Sequence, residues 1–226
     1  MSELLVADSF LVDDGRVRGL ELHRSRFGNS CARYGVSVED FWAKSVAEFP
    51  QQGRWFPRFE LGADRELRLL MRPAPELGGE VSVRVYDGPD PRREPRVKGP
   101  DLAVLEQLRD AVLRGPGGVV LEAAYASLLW WEGDVLCLPP QGLPVLPSVT
   151  VALLRRIAAE RGVAVAERAR RPADLDGAEA WLVNALHGIR PIRAWIGSAL
   201  VAGVPVRAAE WQDALIRTAT DPTAGR

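Results

Sequence analysis

The sequence predicts an α+β fold in two parts, with a small N-terminal part and a larger C-terminal part rich in strands. Hydrophobic periodicity switches repeatedly between helical and strand-like spacing, without the regular rhythm of a βαβ fold. The stretch 87–97, DGPDPRREPRV, holds three prolines, a glycine and several charges, which is typical of a linker. The sequence therefore predicts a small α+β domain over 1–86, an interdomain linker over 87–97 and a larger domain over 98–226.

The N-terminal elements begin with a strand over 3–12 and a turn at DDGR, 13–16. A helix follows, because apolar and aromatic residues recur at helical spacing with His23 on the same face, and it ends at Gly35. VEDFWAKSVAEF predicts a second helix. Three strand-like runs come next: RWFPRFEL, RELRLLMR and EVSVRVYD. We expect all three to form one small antiparallel sheet that carries the helices.

The C-terminal part opens with Lys98 and a helix that Asp101 can cap, with an apolar face reaching Val112. The following DAVLRGPGGVVLE is short, so we expect the chain to run almost directly from this helix to Glu122, without a strand between them. VVLEAAYASLLWWEGDVLCLPP predicts strands with a turn at 132–134. VALLRRIAAERG predicts an amphipathic helix that Gly162 ends. The remaining runs predict three strands (VAVAERA, AEAWLVNAL and IRPIRAWIGS) and a closing helix (RAAEWQDALIRTA).

Composition excludes several classes of protein. A formal charge of -1 and a pI near 6.2, with scattered arginines, argue against nucleic acid or an anionic membrane as partner. Two cysteines and two histidines are too few for a structural metal site. The sequence contains no apolar run of about 20 residues and no signal-peptide pattern at its start. We therefore expect a cytoplasmic protein without a metal.

Lys98 stands out because arginine supplies nearly all of the positive charge. Of 29 basic residues only two, Lys44 and Lys98, are lysines. Arginine stays protonated, whereas lysine can act as a nucleophilic amine. Two lysines could also remain by chance in a chain that uses arginine almost everywhere, so composition alone makes Lys98 only a candidate functional residue.

Five short motifs occur in an informative order. They are LELHRSRF with His23 and Arg26, KGPDL at Lys98, Glu122 ahead of WEGDVLCLPP, LPSVT at 146–150, and EAWLVNALHGIRPI. Each alone has an ordinary explanation, such as a surface arginine, a carboxylate at a strand edge or a helix N-cap. Together they resemble the class IV family of pyridoxal-phosphate enzymes. That family includes branched-chain and D-amino-acid aminotransferases and 4-amino-4-deoxychorismate lyase.

The resemblance implies a two-domain class IV aminotransferase-like fold, with a C-terminal domain that is β-barrel-like and carries helices. It implies pyridoxal 5'-phosphate as cofactor, with Lys98 as the Schiff-base lysine and acid/base. It also implies that Glu122 faces the pyridine nitrogen and that Arg26 binds the phosphate. The backbone N–H groups of Val149 and Thr150 would complete the phosphate site. His23 is expected to be structural.

The motif VNALHGIRPI resembles the lyase branch more than the transaminase branch. The resemblance thus implies an enzyme that eliminates pyruvate from aminodeoxychorismate to give 4-aminobenzoate, a step of folate biosynthesis. A branched-chain or D-amino-acid transaminase is one alternative, and a degenerate, non-catalytic binding protein is another. The family also implies a homodimer and a small amino or carboxylate substrate. Candidates for substrate binding are Asn184, Ala185, Leu186, Arg72, Arg96 and Arg190.

Overall fold

A computed structural model describes residues 3–222 of the chain. The helices are α1 (Leu20–Ala32), α2 (Glu39–Ala47), α3 (Leu102–Glu106), α4 (Val149–Glu160) and α5 (Ala208–Arg217). The strands are β1 (Leu4–Ser9), β2 (Val12–Asp13), β3 (Arg16–Arg18), β4 (Arg54–Trp55), β5 (Arg58–Gly62), β6 (Leu67–Leu70), β7 (Val81–Val85), β8 (Ala111–Arg114), β9 (Val120–Ala123), β10 (Ala126–Glu132), β11 (Val135–Leu138), β12 (Val165–Glu167), β13 (Ala180–Asn184), β14 (Gly188–Trp195) and β15 (Ala219–Thr220). Within residues 3–222, none of the helices has the length and apolar character needed to cross a membrane.

The N-terminal part consists of two small sheets and two helices around an aromatic core. One sheet has the order β1-β5-β6 and the other β15-β3-β2-β4. The predicted turn is the β2–β3 hairpin, where Asp14 and Gly15 both have positive φ, as a tight two-residue hairpin turn requires. Trp42 of α2 stacks on Phe59 of β5 with ring centroids 4.3 Å apart. The predicted face of α1 is confirmed, since His23 is buried in this core.

The C-terminal part is built on an eight-stranded sheet that closes on itself. Its order is β12-β11-β10-β13-β14-β7-β8-β9, and β9 also pairs with β10. Six strands therefore form a closed ring, and β11 and β12 extend from it. This arrangement confirms the β-barrel-like domain. Helices α4 and α5 cover one face, where the rings of Trp131, Trp181 and Trp211 meet with centroids 5.3 to 5.8 Å apart.

The expectation of a missing strand before Glu122 is wrong. Helix α3 ends at Glu106, and residues 111–114 form β8 between β7 and β9. Val112 belongs to that strand and not to the helix, and it is fully buried. Asp101 also does not cap α3 with its side chain, because its carboxylate accepts the backbone N–H groups of Arg93 and Glu94. The short stretch before Glu122 is therefore accommodated by a shorter helix α3, and strand β8 is still present.

Strand β7 is a second correction. Its run, EVSVRVYD, was expected to complete the N-terminal antiparallel sheet. Instead β7 pairs in parallel with β14 on one side and β8 on the other, inside the closed ring. The sheet of the N-terminal part therefore ends with β6, whereas the division of the chain at residue 86 stays a prediction.

Candidate active site

A cavity of about 530 Å³ lies between α1, the start of α4, strands β9 to β11 and the loop 139–148. Its wall includes three of the predicted cofactor residues, Arg26, Glu122 and Val149, together with Ser148. The structure therefore brings a cation, a carboxylate and a helix N-terminus to one space.

Arg26 is held by a buried carboxylate from β1. Asp8 is fully buried and accepts hydrogen bonds from Arg26 Nε and Nη2, each at 2.8 Å. Burial alone would raise the pKa of Asp8, but Arg26 and His23 together hold it well below its usual range. Arg26 Nη1 also donates to the carbonyl of Pro147, 3.0 Å away. A guanidinium has five N–H donors, so these three bonds fix its position and leave donors for a ligand.

His23 also holds the carboxylate of Asp8 in place, which is a structural role of the kind expected for it. Its Nδ1 lies 2.8 Å from Asp8 Oδ1. Burial lowers the pKa of His23, so the ring is neutral near pH 7. Because an ionised carboxylate only accepts hydrogen bonds, Nδ1 carries the proton and donates it to Asp8.

The N-terminus of α4 is open toward this cavity. Ser148 is the N-cap, and its hydroxyl accepts the N–H of Val151 at 3.3 Å. The backbone N–H groups of Val149 and Thr150 have no acceptor among residues 3–222. Such unpaired N–H groups at the positive end of a helix bind anions. Thr150 itself is buried and does not belong to the described cavity wall.

Glu122 lies on β9, opposite Ser127 of β10, and is 5% exposed. Its Oε1 accepts hydrogen bonds from Arg92 Nη1 and from the backbone N–H of Leu146, the latter at 2.9 Å. Burial raises the pKa of Glu122 to about 7, although Arg92 and the Leu146 N–H favour the ionised form. The carboxylate can therefore hold or share a proton with a partner in the cavity near neutral pH.

Lys98 is anchored by its backbone to β1. The N–H of Ala7 donates to the Lys98 carbonyl over 2.6 Å, and Gly99 follows with φ +142°. A Cβ at Gly99 would lie 2.8 Å from Val6 Cα, so the close approach of the two segments requires glycine. Val97 lines the cavity, whereas Lys98 is not among its described wall residues.

Burial and the charges around Lys98 set the acidity of its amine. Burial lowers the pKa of Lys98 to about 8. Asp8 opposes this change, and Arg26, Arg72 and Arg58 add to it. An amine of this acidity is partly neutral near physiological pH, as a nucleophile or base must be.

Comparison with known proteins identifies the fold. Residues 91–195 match the model of the family amino-transferase class IV. No curated protein sequence matches the chain.

Solved structures of similar fold cover nearly the whole chain. A hypothetical aminotransferase from Mycobacterium tuberculosis, bound to α-ketoglutarate and PMP, is 22% identical with a TM-score of 0.77, covering 93% of this chain and 88% of its own. A protein from Thermotoga maritima, provisionally named a branched-chain amino acid aminotransferase, is 17% identical with a TM-score of 0.79 and shares of 94% and 85%. One from Legionella pneumophila, provisionally named 4-amino-4-deoxychorismate lyase, is 18% identical with a TM-score of 0.78 and shares of 94% and 90%. The predicted class IV fold is confirmed.

Among the arginines predicted to bind substrate, only Arg96 lies on the described wall of this cavity. It donates to the carbonyls of Gln141 and Leu143. Arg72 lies near Lys98, with its guanidinium 5.1 Å from the centre of the Phe56 ring. Arg190 is also outside the described wall, and its buried Nε has no partner among residues 3–222.

Asn184 ends β13, and Ala185 and Leu186 lie in the turn between β13 and β14. None of the three is part of the described cavity wall. Asn184 Oδ1 accepts the N–H groups of Leu186 and His187, so this side chain is engaged in shaping the turn. The carbonyls of Ala185 and Leu186 accept hydrogen bonds from Arg18. The turn is thereby tied to the N-terminal part of the chain.

Sequence reasoning missed three charged residues that act on the candidate site residues, namely Asp8, Arg58 and Arg92. Asp8 left a usable signal, since a lone carboxylate in the apolar strand LLVADSF has to be paired if it is buried. The two arginines gave none, because 27 arginines of this chain look alike in sequence.

Proposed function

We propose that this chain binds pyridoxal 5'-phosphate and catalyses a 4-amino-4-deoxychorismate lyase-like elimination of pyruvate in the cytoplasm. One observation carries the proposal. A single cavity joins a fixed arginine, an unpaired helix N-terminus and a buried carboxylate, with a lysine of lowered pKa beside it. A phosphate ester and a protonated ring nitrogen need these groups.

The residues present fit this cofactor. Arg26 and the N–H groups of Val149 and Thr150 would hold the phosphate. Glu122 would face the ring nitrogen, and the amine of Lys98 would attach the cofactor covalently. When bound, the cofactor supplies an electron-accepting ring that stabilises negative charge on the substrate carbon.

Lys98 would serve as the acid/base. With a pKa of about 8, roughly a quarter of its amines are neutral at pH 7.5. In the lyase reaction, Nζ would remove the proton from the ring carbon that bears the amino group. It would then return a proton to the departing enolpyruvyl group, so that pyruvate leaves and 4-aminobenzoate remains. Arg58 and Arg72, which lie near this amine, are placed to attract substrate carboxylates.

Amino transfer is the second candidate. The likeness to the aminotransferase of M. tuberculosis, which was crystallised with α-ketoglutarate and PMP, favours it. The lyase-like motif at 184–186 favours elimination. In amino transfer Lys98 would move a proton at the substrate Cα, and a 2-oxo acid would complete the cycle.

The test starts with the purified protein and pyridoxal 5'-phosphate. We expect a yellow complex, and reduction with borohydride should leave a pyridoxyl group on Lys98, located by peptide mass spectrometry. K98A should lose both the yellow colour and the pyridoxyl label. K44A, which removes the other lysine, should keep the colour and the label. If wild-type protein stays colourless and unlabelled, the enzyme proposal fails and the degenerate binding protein becomes the better interpretation.

The reaction is decided by two assays of the loaded protein. Release of pyruvate and 4-aminobenzoate from aminodeoxychorismate without an added 2-oxo acid supports the lyase. Transfer of the amino group from alanine or glutamate to a 2-oxo acid, without that release, supports the transaminase. Light scattering of the same samples tests the homodimer, which we also propose.

A further inference from the structure

Arg92 is the central residue of a buried ion network behind Glu122. Its Nη1 donates to Glu122 Oε1, and its Nε and Nη2 donate to the two oxygens of Asp90 at 2.9 and 2.8 Å. Nη2 also donates to the carbonyl of Pro144 at 2.7 Å. The side chains of Arg92, Glu122 and Asp90 are 4%, 7% and 18% exposed. Every nitrogen of this guanidinium therefore has a defined acceptor.

When all three side chains are ionised, the charges of this network add up to -1, from two carboxylates and one guanidinium. Arg92 alone would neutralise Glu122 and leave no net charge for a cationic partner. Because Asp90 takes up the charge of Arg92, the network as a whole keeps one negative charge beside the cavity. A cation placed against Glu122 is therefore still attracted.

The two oxygens of Glu122 are used differently. Oε1 receives both Arg92 and the Leu146 N–H. No donor within residues 3–222 lies at hydrogen-bond distance from Oε2, although Glu122 lines the cavity. The carboxylate is thus fixed by one oxygen, and the other is available to a ligand.

We propose that Arg92 is a positioning residue for Glu122, and that Asp90 balances its charge. Occupation of Oε1 by Arg92 fixes the carboxylate, favours its ionised form and presents Oε2 to a protonated ring nitrogen. This inference rests on the proposed function, since the ring nitrogen belongs to the cofactor. It also predicts opposite effects for the loss of Arg92 and the loss of Asp90.

The first experiment uses the cofactor-free protein and follows protonation of the Glu122 carboxyl by infrared difference spectroscopy, with E122Q identifying the band. In R92Q the midpoint should rise by at least about one pH unit, because a cation at hydrogen-bond distance is lost. In D90N it should fall, because a neighbouring negative charge is lost and Arg92 is left to Glu122 alone. R92K should lie between wild type and R92Q. The other charges on the cavity wall, Arg26, Arg33, Arg96 and Arg155, are the same in all variants.

The opposite signs separate positioning from loop stabilisation. If Arg92 only tied the linker to the loop at Pro144, both R92Q and D90N would loosen Glu122, and both midpoints would move toward the value of an exposed carboxyl. Shifts in the same direction, or none, overturn the proposal. D90N keeps the test available if R92Q does not fold, since it leaves the guanidinium in place.

The second experiment uses pyridoxal 5'-phosphate labelled with nitrogen-15 in the ring, bound to wild type and variants. The nitrogen signal should be that of a protonated ring in wild type and move toward the unprotonated position in R92Q. If wild type acquires its Lys98 adduct and the ring signal is the same in R92Q, this inference fails and the proposed function stands. If wild type acquires no adduct, the proposed function fails, and the role of Arg92 toward a ring nitrogen fails with it.

Discussion

Replacement of Asp8 by asparagine should destabilise the protein strongly, although the side chain keeps its size. Asp8 is fully buried and receives three hydrogen bonds of 2.8 Å, from Arg26 Nε, Arg26 Nη2 and His23 Nδ1. An asparagine has one acceptor oxygen, and its amide N–H₂ would face donors. Arg26 would therefore remain buried, 14% exposed, without its counter-charge.

The expected cost is about 3 kcal/mol in the free energy of unfolding, at the lower end of values for breaking a buried ion pair. We choose the lower end because the guanidinium keeps its bond to the Pro147 carbonyl and a partial contact with solvent. For a chain of this size, such a loss lowers Tm by roughly 6 to 12 °C.

Thermal and urea unfolding of the cofactor-free protein measure this loss. The control is D64N, which breaks the exposed Asp64–Arg68 pair and should change the stability far less than D8N does. Since Arg26 and His23 hold the pKa of Asp8 below its usual range, its contribution is complete above about pH 4 and fades as the pH falls further. The difference between wild type and D8N should thus shrink in acid. A D8N protein within about 1 kcal/mol of wild type at pH 7 would refute this reasoning.

Three further outcomes are expected. G99A should cost at least about 2 kcal/mol in urea unfolding, because φ is +142° and the new Cβ meets Val6 Cα at 2.8 Å, whereas G79A, with no atom within 4 Å, should be neutral; equal effects would contradict this. S148A should lose about 1 kcal/mol with its N-cap, and S148T should lose less; a stable S148A would show that the cap is dispensable. Formation of the Lys98 adduct should rise with pH around a midpoint of about 8, and a midpoint near 10 would show that the amine is not desolvated.

Elements with a strong local pattern could be predicted from the sequence. The spacing of His23, Phe27 and Cys31 placed one face of α1 in the core, and the structure buries all three. Ser148 ahead of an amphipathic run predicted the capped start of α4. Both depend on residues close in sequence, where side-chain spacing alone determines which face is buried.

Features that depend on distant partners could not be predicted. The run DAVLR continues a helical pattern, yet Ala111–Arg114 become a strand because β7 and β9 supply hydrogen bonds on both sides. The parallel pairing of β7 with β14 joins segments about 110 residues apart, and the sequence of a strand does not indicate which strand it pairs with. The contact between Arg92 and Glu122 could not be predicted either, because the two residues lie 30 positions apart in sequence.

Strand β15 is synthesised long after β3, the strand with which it pairs. Ala219 and Thr220 pair with β3, and Arg16 donates to the carbonyl of Ala219, 203 residues away in sequence. In the growing chain, the outer edge of β3 therefore stays unpaired until residues 219–220 have left the ribosome. During that interval the exposed edge is open to pairing with other nascent chains, and the pairing of β15 with β3 then covers it.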